Sequence, residues 1–284
     1  MSKLEKKCDL HLHTCYSDGS LTPQELIEHA LKTEVSCVSI TDHDSIRAVC
    51  EVKNKPYLDY LELIEGVELT TTYQNNEVHI LGYLVDIKSK SFNKKIEEAY
   101  QVRQVRFKEM IERLILKGLI IDKESLLEAV KDIAPTRLHL AKYLLETRQV
   151  NSIYEAFKRF LGPGKEGYIC RSSFSSKEAI DFIHSHQGLA FLAHPHKLFD
   201  QHWVDDFLSF GIDGLEVAYP TMGSENKSFY IEYALKNELL LSGGSDFHQK
   251  TKGFRGIGCV DVPYDWVLAM KQKKKDLIGT ERSL

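Results

Sequence analysis

The sequence predicts an α/β fold in which strands alternate with helices and polar strand ends converge on the mouth of a parallel barrel. Three observations lead there. Seven short apolar runs are separated, for the most part, by stretches with helical spacing. Six of the seven carry His, Asp or Glu at or near an end. A parallel barrel gathers the C-terminal ends of its strands at one mouth, so residues as distant as His11 and His248 can meet there.

The first run, Cys8-Asp9-Leu10-His11-Leu12-His13, reads as a buried strand ending in two histidines. Residues two apart on a strand point to the same face, so His11 and His13 can converge on one ion. The polar loop 14–23 follows, with Asp18 in it. Thr22-Pro23-Gln24-Glu25 has the form of a helix start, with Thr22 as N-cap, Pro23 first and Glu25 as capping-box partner. That helix runs to about Lys32. The strand Val35–Ile40 ends in Thr41-Asp42-His43-Asp44. The strand Leu61–Leu69 ends in Gly66-Val67-Glu68. The strand Val78–Val85 has His79 near its start, which fits a parallel barrel least well.

From about Lys88 to Pro163 the pattern is helical and charged. Ile96, Tyr100, Val105, Met110, Ile111, Leu114 and Ile115 recur at helical spacing, and Pro135 and Gly162-Pro163-Gly164 punctuate the end. The expected organisation is a barrel of residues 1–87 and 166–284 carrying a helical insertion, or lid, at 88–165. Alternation then resumes. Ser176 is the expected N-cap of a helix to His186. Strands follow at 188–193, ending in His194-Pro195-His196, at 214–217 with Glu216, and at 239–244, ending in Ser245-Asp246-Phe247-His248. The run Lys271–Lys275 reads as a solvated helix face.

Composition bounds the function. The chain has 284 residues, 43% hydrophobic and 27% charged, enough for one large domain or one domain with an insertion. A net charge of -4 gives no basic footprint for long duplex nucleic acid. The six cysteines form no C-x-x-C pair, which fits reduced thiols in a cytoplasmic protein. The charged stretch Met1–Lys7 is no signal region, and no span of about 18 apolar residues suggests a membrane helix.

The candidate ligands are His11, His13, Asp18, His43, Glu68, His79, His194, Asp246 and His248. Six imidazoles and three carboxylates exceed the needs of one ion, so two or three metals sharing a bridging carboxylate are expected. Imidazole with carboxylate and no thiolate suits zinc, manganese or iron(II). Six neutral imidazoles packed together without metal would leave buried polar groups unpaired.

Asp9-Leu10-His11-Leu12-His13, Thr41-Asp42-His43-Asp44, Gly66-Val67-Glu68, Ala193-His194-Pro195 and Gly244-Ser245-Asp246-Phe247-His248 resemble the successive motifs of the PHP (polymerase and histidinol phosphatase) metal-dependent phosphoesterases. The resemblance spans nearly the whole chain. It implies a distorted (β/α)7 TIM-like barrel with a trinuclear site, manganese most of all. The first metal would take His11, His13, Glu68 and Asp246. The second would share Glu68 and add His79 and His194. The third would take Asp18, His43 and His248.

Pro135-Thr136-Arg137-Leu138-His139-Leu140-Ala141 and Phe160-Leu161-Gly162-Pro163-Gly164-Lys165 resemble the lid of the TrpH-like branch. That branch implies removal of the 3′-phosphate from nucleoside 3′,5′-bisphosphates, or 5′→3′ attack on short RNA, through a metal-bridging hydroxide. Arg137 and Lys165 are then the expected catalytic and substrate-binding cations, with His139 and Arg171 as further substrate contacts. Alternatively, Arg137 and His139 stabilise the helix they begin and Lys165 is solvated. His196 departs from many relatives, which carry an Arg nearby; it is expected to contact substrate and to protonate the leaving oxygen, a role that metal-bound water would otherwise fill. Asp44 would orient a ligand histidine or cap the next helix. Two rival readings are a histidinol-phosphate-type phosphatase and a metal-binding module without catalysis. No protein partner is legible in the chain.

Overall fold

A seven-stranded mixed sheet, strands adjacent in chain order, carries the candidate site. The computed structural model describes residues 6–249 and 256–281, so most of the charged N-terminal stretch 1–7 lies outside the described residues. The strands are β1 (Lys7–Leu12), β2 (Val35–Ile40), β3 (Glu62–Tyr73), β4 (Asn76–Tyr83), β5 (Leu189–Leu192), β6 (Gly214–Ala218) and β7 (Leu240–Gly243). Between and after them run α1 (Pro23–Ala30), α2 (Arg47–Val52), α3 (Lys90–Leu116), α4 (Lys123–Ala129), α5 (Arg137–Glu146), α6 (Ile153–Ala156), α7 (Ser176–Ser185), α8 (Trp203–Ser209), α9 (Ser224–Lys236) and α10 (Tyr264–Glu281).

The expected all-parallel order is wrong at one strand. β4 runs antiparallel to both β3 and β5, whereas the remaining neighbours are parallel. The reason is a two-residue hairpin at Gln74-Asn75, both at positive φ (45° and 60°), the conformation that matches strand twist. β3 also runs on to Tyr73, so Glu68 lies within the strand rather than at its end, paired with Leu81. The reversal puts the start of β4 beside the far half of β3, with His79 opposite Thr70. That is why a histidine early in its strand joins ligands that follow the ends of others.

The first turn of α1 forms as the sequence dictates: Thr22 Oγ1 accepts from the Glu25 amide at 3.3 Å, and the Glu25 carboxylate accepts from the Thr22 amide at 2.9 Å. The N-cap of α7 is Ser175 rather than Ser176, because Glu178 three residues on completes its capping box. Two apolar clusters flank the sheet. The larger joins Leu12, Ile27, Ile40, Val67, Ile80, Leu192 and Leu215 to α1, α2, α7, α8 and α9. The other joins Leu10, Ile64, Tyr83 and Phe191 to Val267 and Met270 of α10. In the basic run, the Lys274 ammonium donates to the Leu84 carbonyl and Lys271 pairs with Glu62.

Among residues 84–188 there is no strand. Phe92, Ile96 and Ala99 of α3 pack on the larger core. Farther along, Phe107, Met110, Ile111 and Leu114 join α4, α5 and α6 in a third cluster extending to Ile169. Val105 and Ile115, expected on the apolar face of α3, are exposed, while Arg103 and Arg106 are buried.

Candidate metal centre

Glu68, 1% exposed, is the hub of the site. Its Oε2 lies 3.3 Å from Nε2 of His11, 3.3 Å from Nε2 of His13 and 3.0 Å from Nδ1 of His43. Its Oε1 lies 2.9 Å from His79 Nδ1 and 3.3 Å from His194 Nε2. Asp246 Oδ1 completes a quartet at 3.4 Å from His11 Nε2 and 3.2 Å from His13 Nε2. Around Asp18, His248 Nε2 stands at 3.1 Å and His43 Nε2 at 3.9 Å. All nine sequence-predicted ligands therefore meet.

The geometry fits ions. Four ligand atoms about 2.1 Å from one ion in a tetrahedron stand roughly 3.4 Å apart, close to the edges of the His11–His13–Glu68–Asp246 quartet. His11 Nε2, His13 Nε2, Asp18 Oδ1, His43 Nδ1, Glu68 Oε2 and His79 Nδ1 are all buried without a hydrogen-bond partner among the described residues. Such atoms are costly unless something binds them. Three subsets bring one donor atom per residue within 4.8 Å of each other: His13, Asp18, His43 and His248; His11, His13 and Asp246; His43, Glu68 and His79.

A second layer fixes which nitrogen faces the cluster. His11 Nδ1 donates to Glu216 Oε1 at 2.9 Å, leaving Nε2 inward. Glu216 also accepts from the His194 amide at 2.7 Å. Ser17 donates to Asp42 at 2.6 Å and so receives the Nδ1 proton of His13 at 3.3 Å. His79 Nε2 donates to Glu77 Oε1 at 3.1 Å, and His248 Nδ1 to the Asp246 carbonyl at 2.8 Å. The buried Asp9 holds the Ser245 and Gly258 amides at 2.9 and 2.8 Å, anchoring the loop that carries Asp246 and His248. A Cβ on Gly244 would stand 2.4 Å from the His11 amide nitrogen, so only glycine admits this approach. Asp44, His194 and Asp246 all have positive φ (47°, 31° and 50°), a conformation that costs energy in a non-glycine residue.

The electrostatics suit cations, with carboxylates held ionised among buried imidazoles. Burial opposes charge on His11, but Glu216, Glu68 and Asp246 together outweigh it and raise its pKa well above the ordinary value. Against the same burial, Asp246 and Glu68 raise His13 to about 10, and Glu68 and Glu77 raise His79 to about 9. Burial lowers His194 to about 3, with Lys197 adding to the effect. The carboxyls of Glu68, Asp18 and Asp246 lie well below their usual range: burial opposes this, and the surrounding histidines prevail.

A cavity of about 540 Å³ opens onto this cluster. The helical segment forms one wall and touches the ligands directly: Thr136 donates to Asp18 Oδ2 at 2.7 Å, and the Lys142 ammonium to the Asp18 carbonyl at 3.3 Å. Of the predicted substrate residues only Arg137 lines the cavity. Its guanidinium pairs with Glu77 at 2.7 Å and lies 5.1 Å from the centre of the Tyr168 ring. His139 is a helix cap, its Nδ1 accepting from the Thr136 amide at 3.0 Å, and burial lowers it to about 4. Lys165 sits exposed on the Gly162–Tyr168 turn outside the cavity lining. Arg171 pairs with Glu109 and lines a separate depression with Thr72 and Asn75. His196 also lies off the lining; its Nε2 hydrogen bonds with Thr221 at 3.2 Å. The chain turns through a short 3-10 segment after His194, which aims His196 away and brings Lys197 in.

Sequence reasoning missed Glu77, Arg103, Arg106, Lys197 and Tyr219. Glu77 pairs with Arg106 at 2.8 Å as well as with Arg137 and His79. Its position two residues before His79 on one strand was a usable signal. Arg103 and Arg106 share one face of α3; Arg103 pairs with Asp44 at 2.8 Å. Asp44 thus neither caps α2 nor touches a ligand histidine, and also accepts from the Thr70 amide at 2.9 Å. Lys197 donates to the Tyr219 hydroxyl, which donates to Asp246.

Residues 9–165 match the PHP domain family. The chain belongs to that family. It is 34% identical over 248 residues to a 5′-3′ exoribonuclease of Salmonella typhimurium, covering 85% of each chain. It is 27% identical over 257 residues to a 3′,5′-nucleoside bisphosphate phosphatase of Chromobacterium violaceum, covering 88% of this chain and 90% of the relative. The crystal structure of a proposed metal-dependent phosphoesterase from Bifidobacterium adolescentis superposes with a TM-score of 0.84 at 29% identity, over 96% of this chain and 98% of that one. No helix of the described residues is long and apolar enough to cross a membrane.

Proposed function

We propose that this PHP-family chain is a metal-dependent phosphoesterase that removes the 3′-phosphate of nucleoside 3′,5′-bisphosphates or degrades short 5′-phosphorylated RNA. The observation that carries this is the ring of orphaned, inward-facing donors around Glu68. The names of the curated relatives supply the substrate class. His11, His13, Glu68 and Asp246 would hold one divalent ion, Glu68 with His79 and His194 a second, and Asp18, His43 and His248 a third. Manganese is favoured, and zinc or iron(II) suit the same donors. Bound there, such ions supply acidified water and neutralise charge in phosphoryl transfer.

The chain's own residues do the rest. Arg137 and Lys197 both line the cavity, and their charges suit the orientation of phosphate oxygens. To Lys197, which lines the cavity and donates to Tyr219, we assign protonation of the leaving oxygen, the role first expected of His196. Glu216, Ser17 and Glu77 hold the ligand imidazoles in the tautomers that point inward. We further propose that the sheet closes into a distorted barrel. In support, Leu12 bridges to Phe247 just beyond β7, and the His13 amide donates to the Phe247 carbonyl at 3.1 Å. Residues 88–165 then form a lid over residues 1–87 and 166–284 and exclude bulk water.

The test is release of phosphate by manganese-loaded protein from adenosine 3′,5′-bisphosphate, with histidinol phosphate and a 5′-phosphorylated RNA trimer alongside. Selective turnover of the bisphosphate, or mononucleotide release from the trimer, supports the reading. Selective turnover of histidinol phosphate overturns its substrate class. Arg137→Ala should raise KM for the bisphosphate by about 10- to 100-fold; unchanged turnover would remove Arg137 from the account.

A further inference from the structure

The cavity has an aromatic feature that the phosphate chemistry does not use. Phe199 is 81% exposed. Isolated exposed hydrophobic residues are ordinary on protein surfaces, and Leu116, Ile120, Tyr154 and Leu235 are such cases. Among the exposed large hydrophobic side chains of the described residues, Phe199 alone lines the cavity that opens onto the metal centre. Its ring lies beside that of Trp203, with centroids 6.0 Å apart and planes tilted by 34°. Trp203 is itself buried in the larger core, so the platform has a fixed base. Phe199 follows Lys197 by two residues, and Lys197 Nζ lies 3.7 Å from Asp246. Two residues of chain reach about 7 Å between Cα atoms, and Glu68, Lys197, Phe199 and Asp246 all line the same cavity. Elsewhere in the lining, the rings of Phe157 and Tyr168 are already taken by the Arg137 guanidinium, at 5.8 and 5.1 Å.

We propose that Phe199 is a specificity-determining residue, a platform on which the nucleobase of the substrate stacks while its phosphate occupies the metal centre. This rests on the phosphoesterase reading above and names the part of the substrate that phosphate chemistry leaves undefined. Stacking on an aromatic face is tolerant of sequence, because every base offers a π-face. The structure thereby accounts for how one site could accept different nucleotides, yet prefer them to phosphate esters without an aromatic group.

The experiment uses full-length manganese-loaded protein and 2-aminopurine riboside 5′-monophosphate, whose fluorescence falls when the base stacks. Wild type should quench the probe. Phe199→Ala should abolish the quench and weaken binding roughly 5- to 150-fold, and Phe199→Trp should retain both. In turnover, the loss in kcat/KM for adenosine 3′,5′-bisphosphate should exceed the loss for ribose 3,5-bisphosphate by the same factor. No quench with wild type, an undiminished quench in Phe199→Ala, or equal losses on the two substrates would each overturn the proposal. Failure of wild type to hydrolyse either bisphosphate would count against the phosphoesterase reading instead, and the fluorescence result would still decide the base platform. Because the side chain is exposed, the alanine variant should fold; an unchanged melting temperature checks this.

Discussion

Replacing Glu216 with glutamine tests whether the site is built to present imidazole lone pairs to cations. Glu216 is wholly buried and accepts twice, from His11 Nδ1 at 2.9 Å and from the His194 amide at 2.7 Å. Glutamine keeps the shape but has one acceptor oxygen and one donating NH2. If its NH2 faces the His194 amide, two donors oppose each other. If it faces His11, the ring must move its proton to Nε2, the atom 3.3 Å from Glu68 and 3.4 Å from Asp246. Either outcome damages a ligand. Loss of such a supporting contact typically weakens metal affinity about 10- to 100-fold, or about 1.4–2.7 kcal/mol. Competition between the protein and a fluorescent chelator for manganese or zinc reads this directly, with circular dichroism as a check on folding. Affinity within twofold of wild type, in a folded variant, would refute the argument that Glu216 sets the His11 tautomer.

Three further outcomes are expected. Glu77→Ala leaves the buried Arg106, and with it Arg137, without its carboxylate; it should cost about 3–5 kcal/mol in chemical denaturation, since removing one partner strands a buried charge. Lys197→Ala should lower kcat on the bisphosphate at least 10-fold more than His196→Ala (about 1.4 kcal/mol in barrier terms), because only Lys197 lines the cavity; the reverse order in steady-state kinetics would restore the role first given to His196. In chelator-treated protein, His13 and His79 titrate at about 10 and about 9, above the unfolded value near 6.5. The folded state therefore binds more protons than the unfolded state in that window. Its stability should fall as pH rises from about 7 to 9, and metal binding at pH 7.5 should release protons, measurable by calorimetry in buffers of different ionisation enthalpy.

Apart from Asp18, which lies in the loop after β1, the ligands were legible because they sit within or just past an apolar run, and that pattern survives whichever way the strand runs. His11 and His13 needed only the strand pleat. His79 shows the limit: its membership was readable, but its placement depended on the Gln74-Asn75 hairpin, whose turn lacks the Asn-Gly pair that marks such hairpins most clearly. The substrate wall was far less legible. Arg103 and Arg106 look like solvated helix charges in sequence, and only tertiary packing against Asp44 and Glu77 buries them. Lys165 had the attractive Gly-Pro-Gly context, but the turn after Gly162 leaves it outside the cavity. His139 was readable either as a contact or as a cap, and the capping box decides for the cap. Long-range ion pairs leave no local periodicity, so a second carboxylate near a ligand, as with Glu77, is the best available signal.

The central claim is that the ring of donors around Glu68 holds divalent ions that hydrolyse a nucleotide phosphoester. The most direct measurement is metal content by mass spectrometry, paired with hydrolysis of adenosine 3′,5′-bisphosphate and a 5′-phosphorylated RNA trimer, before chelation, after it and after manganese is restored. The account expects two or three ions per chain, and phosphate or mononucleotide release that disappears with the ions and returns with them. Full metal occupancy with neither substrate hydrolysed would contradict it.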